Sequence, residues 1–177
     1  MVRRAAFLEV GGYYEPFFME VEGLELAARF LVGGWEVRYL PAAVFHHKRN
    51  PAGRDSLEGT IRRRIRNQVW YFWLRFPADV AARRIIAYGV FDLANTFYRG
   101  VPGAWFEGLR DAWTQRELIR GDRSPAPRTM LRRIELRRGR MHMDLMVARA
   151  KEKLSGGSGA ARRRETGDPW SRATRDG

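Results

Sequence analysis

Cysteine is absent from the 177 residues, which excludes disulfides and thiolate metal sites and leaves the redox compartment unreadable from this feature. Lysine is almost absent. Lys48, Lys151 and Lys153 are the only lysines among 33 basic residues, so the positive charge is nearly all guanidinium. No run of about 18 uninterrupted apolar residues occurs, which argues against a spanning helix, and the N-terminus lacks the charged-then-apolar layout of a secretory signal. No internal repeat is visible. What is present in excess is charge of one sign. A formal net charge of +13 and a pI near 11.1 make a surface that seeks anions: nucleic acid, anionic lipid headgroups or phosphorylated small molecules. With 45% hydrophobic residues the chain can bury a core, and it is expected to be globular at least in part.

Read along the chain, Arg4 to Val10 predicts a short helix stopped at Gly11 and Gly12, because glycine takes the left-handed cap conformation without strain. The aromatic run Tyr13 to Phe18 is expected to be a buried loop. From Glu22 to Val32 the apolar positions Leu24, Ala27, Ala28 and Leu31 recur at helical spacing, Glu25 and Arg29 stand four apart, and Gly33 and Gly34 end the element. "WEVRYLP" reads as a strand, since Trp35, Val37 and Tyr39 alternate with Glu36 and Arg38 before Pro41. "AVFHH" reads as a second, shorter extended piece.

Beyond a loop with Pro51 and Gly53 the period changes. Leu57, Ile61, Ile65, Val69, Phe72 and Phe76 step by three or four, with Arg62, Arg63, Arg64 and Arg66 off the stripe. The second half of this helix, "VWYFWLRF", is apolar all round, so it must be covered by protein or inserted into a lipid interface. Pro77 ends it. Ala78 to Tyr98 and Trp105 to Arg120 predict two further helices, Ser124 to Arg138 another, and Met141, Leu145 and Ala148 a last one. From Ser155 the chain is polar, glycine-rich and without period, and disorder is expected.

The stretch "VRRAAFLEVGGYYEPFFMEVEGLELAARFLVGGWEVRYLPAAVFHH" resembles the acceptor-side half of family-2 glycosyltransferases, nucleotide-sugar enzymes of the GT-A fold. A helix ending on Gly-Gly, an aromatic loop with a Phe-Phe pair, acids opening a helix, a strand and a following His occur in the family's order. "RNQVWYFWLRFP" is similar to the arginine-asparagine and aromatic helix that follows the catalytic domain in bacterial members making surface polysaccharides. The resemblance implies an α/β fragment, the end of a nucleotide-sugar transferase domain, over residues 1–48. A mainly α-helical appendage on the membrane would occupy 55–150, and a disordered basic tail 155–177. The abrupt start on a packed helix suggests that a front half is missing.

Inverting transfer needs a carboxylate that removes the acceptor hydroxyl proton opposite the departing phosphate. The resemblance puts this base at Gly23, which departs from the family acid. Glu22 then stands in as base or the chain does not catalyse. Glu25 matches the helix acid that organises the site and pairs with Arg29, and Glu20 a variable loop position. His47 matches a histidine near the metal and diphosphate and is a tentative metal ligand, while His46 reads as structural. A divalent Mg or Mn is expected for the complete domain and not for this chain alone, because Asp55 is the chain's first aspartate and the family's Asp-x-Asp pair has no counterpart. The implied partners are a nucleotide-sugar donor, a glycan or lipid-linked acceptor and an anionic membrane surface on the cytoplasmic side. Membrane contact is expected at Arg62, Arg63, Arg66, Trp70 and Trp73. Two other classes remain open: an arginine-rich protein binding nucleic acid without sequence preference, and a catalytically dead membrane scaffold. The first lacks finger spacing or a helix-turn-helix signature. Little or no transferase activity is expected of the chain in isolation.

Overall fold

The structure, a computed structural model, describes residues 2–38 and 55–134. Residues 1–135 form one compact unit, and a second unit, 136–177, lies outside the described residues. The first helix, α1 (Arg4–Glu9), ends where Gly11 and Gly12 turn to positive φ and the Gly12 N–H reaches the Phe7 carbonyl at 2.8 Å. A single 3-10 turn at Glu15–Phe17 leads to α2 (Glu22–Val32), which closes on Gly33 and Gly34. Ser56 caps α3 (Leu57–Arg75): its hydroxyl accepts the Gly59 N–H at 3.0 Å. Pro77 then separates α3 from α4 (Ala78–Tyr98), and after Gly100 comes α5 (Gly103–Thr114) with a 3-10 turn at Arg116–Ile119. Residues 128–134 are helical.

The described residues are helical and contain no strand, which overturns the expected α/β fragment. Trp35 to Arg38 shows why the periodicity misled. Trp35 and Val37 are half-buried and Glu36 and Arg38 exposed, the alternation of a strand, yet no neighbouring strand among the described residues supplies the ladder bonds that would make it one. The two apolar side chains instead cover a small cluster of Ala6, Leu26 and Phe30 between α1 and α2. "AVFHH" and both its histidines lie outside the described residues, as do the predicted helix at 141–148 and the tail. The aromatic run before α2 is buried only at Phe17, while Tyr13 and Phe18 are exposed.

The helix α3 is the axis of the fold. Its aromatic half is covered by protein rather than lipid, with Trp70, Tyr71, Phe72 and Leu74 fully buried beside Phe17, Leu31 and Ile119. The chain after α5 returns to finish α3: the Ser124 and Ala126 N–H groups satisfy the Leu74 and Arg75 carbonyls, which have no acceptor role inside the helix. On the other side of α3, Arg62 makes a bidentate pair with Asp111 and a third bond to Glu107, tying α3 to α5. Asp92 of α4, buried, accepts from Arg64 and Gln68. Arg62 and Arg64, two of the arginines set off the apolar stripe, are thus internal ties between helices. Among the described residues no helix is long and apolar enough to cross a membrane.

Gly108 of α5 lies tight against α3: a Cβ there would lie 2.7 Å from the Arg62 carbonyl oxygen and 2.8 Å from the Ile65 Cβ. Backbone cannot retreat from such a clash without parting the helices. Gly108→Ala is expected to cost about 2–3 kcal/mol, the upper part of the overpacking range, as a lower urea midpoint. Gly121→Ala, where a Cβ meets nothing within 4 Å, is the matched control and should leave the midpoint within about 0.5 kcal/mol of the parent.

Candidate functional site

The segment from Pro16 to Val21 delivers the chain into α2, and it is held in a backbone conformation the sequence does not favour. Phe18, Glu20 and Val21 all take positive φ (55°, 64° and 63°), and for a β-branched valine that is a true outlier. Each such residue costs on the order of 1–3 kcal/mol unless its surroundings enforce it. The enforcing group is Asn67 of α3, fully buried. Its side-chain amide donates to the carbonyls of Phe17 (2.8 Å), Met19 (2.7 Å) and Glu20 (3.2 Å), while its own oxygen accepts from Arg66. Arg66 also donates to the Pro16 carbonyl and lies over the Trp70 ring, and burial pulls its guanidinium below the ordinary range.

One turn further on, Glu25 sits at 0% exposure with both carboxylate oxygens occupied. Arg29 grips it bidentately, Nε to Oε1 and Nη2 to Oε2 at 2.7 Å each, and Arg75 of α3 adds a 2.7 Å bond to Oε1. Arg29 also donates to the carbonyls of Val10 and Gly12, so one guanidinium fastens the end of α1 to α2. Arg75 reaches the Asp122 carbonyl and faces the ring of Tyr14, whose hydroxyl donates to the Asp122 carboxylate at 2.6 Å. Burial first, and that hydrogen bond second, push the Tyr14 hydroxyl well above the usual phenol range.

The two acids expected to be catalytic therefore do different things. Glu25 has no free oxygen and serves as a positioning residue. Glu22, at the first position of α2, is half-buried and holds one carboxylate oxygen, Oε2, buried and without a hydrogen-bond partner among the described residues. Beside it Gly23 is exposed, and a Cβ there would meet no atom within 4 Å. Gly23 borders a mainly apolar cleft of about 850 Å³ between α1, α2 and the segment after α2, with Arg3, Tyr13, Leu26, Phe30, Trp35 and Arg38 among its walls. The described carboxylates do not fit a divalent metal, because Glu25 is spent on two arginines and no three His, Asp or Glu side chains among the described residues converge as ligands. His47 lies outside the described residues.

The expected membrane-contact residues are dispersed. Trp70 is 1% exposed and donates its indole N–H to the Ala112 carbonyl at 2.9 Å, so it belongs to the core. Arg62 is engaged by Asp111 and Glu107, the hydrogen bond to Asp111 raising it above the usual guanidinium range, and Arg63 pairs with Asp55 at 2.5 Å. Trp73 alone of the two tryptophans reaches the surface, at 44% exposure, under Arg123. Sequence reasoning missed Asn67 and Arg75. The signal was there, since Asn67, Tyr71 and Arg75 step by four along a helix and all three are buried, a polar stripe inside an apolar element.

Asn67→Ala is expected to take the side-chain donor from the Phe17, Met19 and Glu20 carbonyls, of which Phe17 and Glu20 keep a backbone N–H, and to cost about 1–3 kcal/mol, read as a drop in urea midpoint together with faster amide exchange over 17–22. For Tyr14 the sign follows from a folded-state value raised above the unfolded one. The neutral phenol favours the fold, so its contribution is complete below about pH 10 and is lost as pH rises from there. The parent chain should lose stability more steeply than Tyr14→Phe between about pH 10 and 12; parallel curves would contradict the assigned environment.

Over 56 residues the chain is 46% identical to the N-acetylglucosaminyl-diphospho-decaprenol L-rhamnosyltransferase of Mycobacterium tuberculosis, with the same values for strain CDC 1551 / Oshkosh and for strain ATCC 25618 / H37Rv. The matched stretch is 31% of this chain and 18% of the length of those relatives. No family model matches, and no solved structure matches. Over a short segment, then, this chain is similar to a glycosyltransferase.

Proposed function

We propose that the chain provides the acceptor side of a sugar-transfer site of the inverting family-2 kind, working on a lipid-linked glycan at the cytoplasmic face of the membrane. The observation that carries the reading is the local likeness to a rhamnosyltransferase together with a strained, Asn67-clamped turn that presents Gly23 at an apolar cleft, with Glu22 next to it in the chain. Strain held at that point is the kind of feature that marks a site, because it orients a helix start that the sequence alone would not orient. In the proposed step an acceptor hydroxyl attacks the anomeric carbon of the donor and a C–O bond forms. The bond from that carbon to the nucleoside diphosphate breaks with its electron pair, and the Glu22 carboxylate takes the hydroxyl proton. The acceptor of the relative, N-acetylglucosaminyl-diphospho-decaprenol, is the acceptor class proposed here, with a nucleotide-activated L-rhamnose as donor class.

A second reading is favoured by one specific residue. Gly23 stands where the resemblance puts the base, so a chain that binds acceptor without transferring sugar is the direct alternative. The test separates them. The purified chain should bind N-acetylglucosaminyl-diphospho-polyprenol in detergent by titration calorimetry, and Gly23→Arg, which fills the cleft mouth, should weaken that binding at least about tenfold. Transfer from nucleotide-activated rhamnose that is abolished by Glu22→Gln establishes Glu22 as base. Transfer that appears only in Gly23→Asp establishes the non-catalytic reading for the parent. No acceptor binding by the parent overturns both.

A further inference from the structure

From Ile86 onward the side of α4 turned away from α3 is apolar and exposed among the described residues. Ile86, Val90, Phe91, Phe97 and Tyr98 are each 62–92% exposed, and Ala87 and Ala94 between them are exposed as well. At 100° per residue these seven positions fall within about 140° of the helix circumference, a continuous stripe along the C-terminal part of α4 from Ile86 to Tyr98. Scattered exposed hydrophobic residues need no explanation, but a contiguous stripe with two phenylalanines and a tyrosine does. No carboxylate interrupts it. The helix has two acids: Asp92 is buried against Arg64 and Gln68 on the opposite side, and Asp79 at the N-terminal end is paired with both Arg83 (3.2 Å) and Arg128 (2.6 Å). Arg84 adds charge at that end and Arg99 follows Tyr98 at the other, so the stripe is apolar along its length and positive at both ends.

We infer that the α4 face is a membrane-surface contact, lying in the interface of an anionic bilayer with its apolar stripe among the acyl chains and its terminal arginines at the headgroup phosphates. The charge pattern selects this occupant. In a second copy of the chain, antiparallel pairing of α4 with itself would set the Arg83 end against Arg99, and parallel pairing would set like ends together, with Asp79 already taken by two arginines. Anionic headgroups neutralise the same charges, and long arginine stems let guanidinium groups rise to them while the helix stays down. The dimensions agree with a helix that lies on a bilayer rather than spans one, since no described helix is long and apolar enough to cross. This moves the contact from α3, where Trp70 is buried, to α4. It rests on the transferase reading only in that a lipid-linked acceptor would be met at such a surface.

The experiment is vesicle co-sedimentation of the full 177-residue chain with phosphatidylcholine vesicles, with and without phosphatidylglycerol. Binding to the anionic vesicles is expected, at least about tenfold weaker for Val90→Ser with Phe97→Ser and unchanged for Trp73→Ser. Both α4 positions are exposed, so the double variant should melt like the parent, and circular dichroism checks this. Absence of parent binding, parent-like binding by the double variant, or an equal loss in Trp73→Ser would each overturn the inference. So would a parent dimer in sedimentation equilibrium that the double variant dissolves while vesicles are ignored. Vesicle binding without acceptor binding would sink the transferase reading alone, and acceptor binding without vesicle binding would sink this one alone.

Discussion

A fully buried carboxylate between two arginines is the constraint on which the described fold depends. Glu25 could not be taken out of water alone, because an isolated buried charge costs many kcal/mol, and the geometry here answers that cost with three charge-assisted bonds from Arg29 and Arg75. The same two guanidiniums then go on to carbonyls elsewhere, Arg29 to the end of α1 and Arg75 to the loop after α5. Four separate stretches of chain meet at one ion cluster. Asp122 balances the second arginine through Tyr14 and its own backbone, so the cluster carries two acids and two bases. A buried pair of this kind adds little net stability over an apolar isostere, but it fixes register, since only one packing of α2 on α3 satisfies all its members.

Register is what the neighbouring turn needs. Three consecutive-region residues with positive φ, one of them valine, would relax in an isolated peptide, and Asn67 prevents this by meeting three carbonyls of the turn with a single amide. The ion cluster sets where α3 lies, α3 sets where Asn67 lies, and Asn67 sets the entry angle of α2. Gly23 inherits its position at the edge of the cleft, and Glu22 its place beside Gly23, from that chain of contacts.

The excess of arginine has two physical uses in this molecule. Arg62, Arg64, Arg66 and Arg75 are ties between elements, each matched to carboxylates, carbonyls or an aromatic face that a lysine point charge could not engage in the same fork geometry. Arg83 and Arg99, towards the two ends of α4, are exposed and frame an apolar stripe. Net charge therefore said that anions would be sought, without saying which guanidiniums were available to seek them.

Much was legible in the residues alone. The bounds of α2 and α4, the break at Pro77 and the double-glycine stops after α1 and α2 follow from period, caps and glycine conformation, which are local properties. The Glu25–Arg29 pair follows from spacing four apart, and the amphipathic course of α3 from its stripe. What only the tertiary structure decided were facts of long sequence separation: that Glu25 also takes Arg75, 50 residues on, that Asn67 clamps the turn, that Trp70 is core rather than anchor, and that Trp35 to Arg38 alternates without joining a sheet. The physical reason is common to all four. Periodicity reports which side of an element is apolar, whereas burial and hydrogen-bond partners depend on what a different stretch of chain brings to that side.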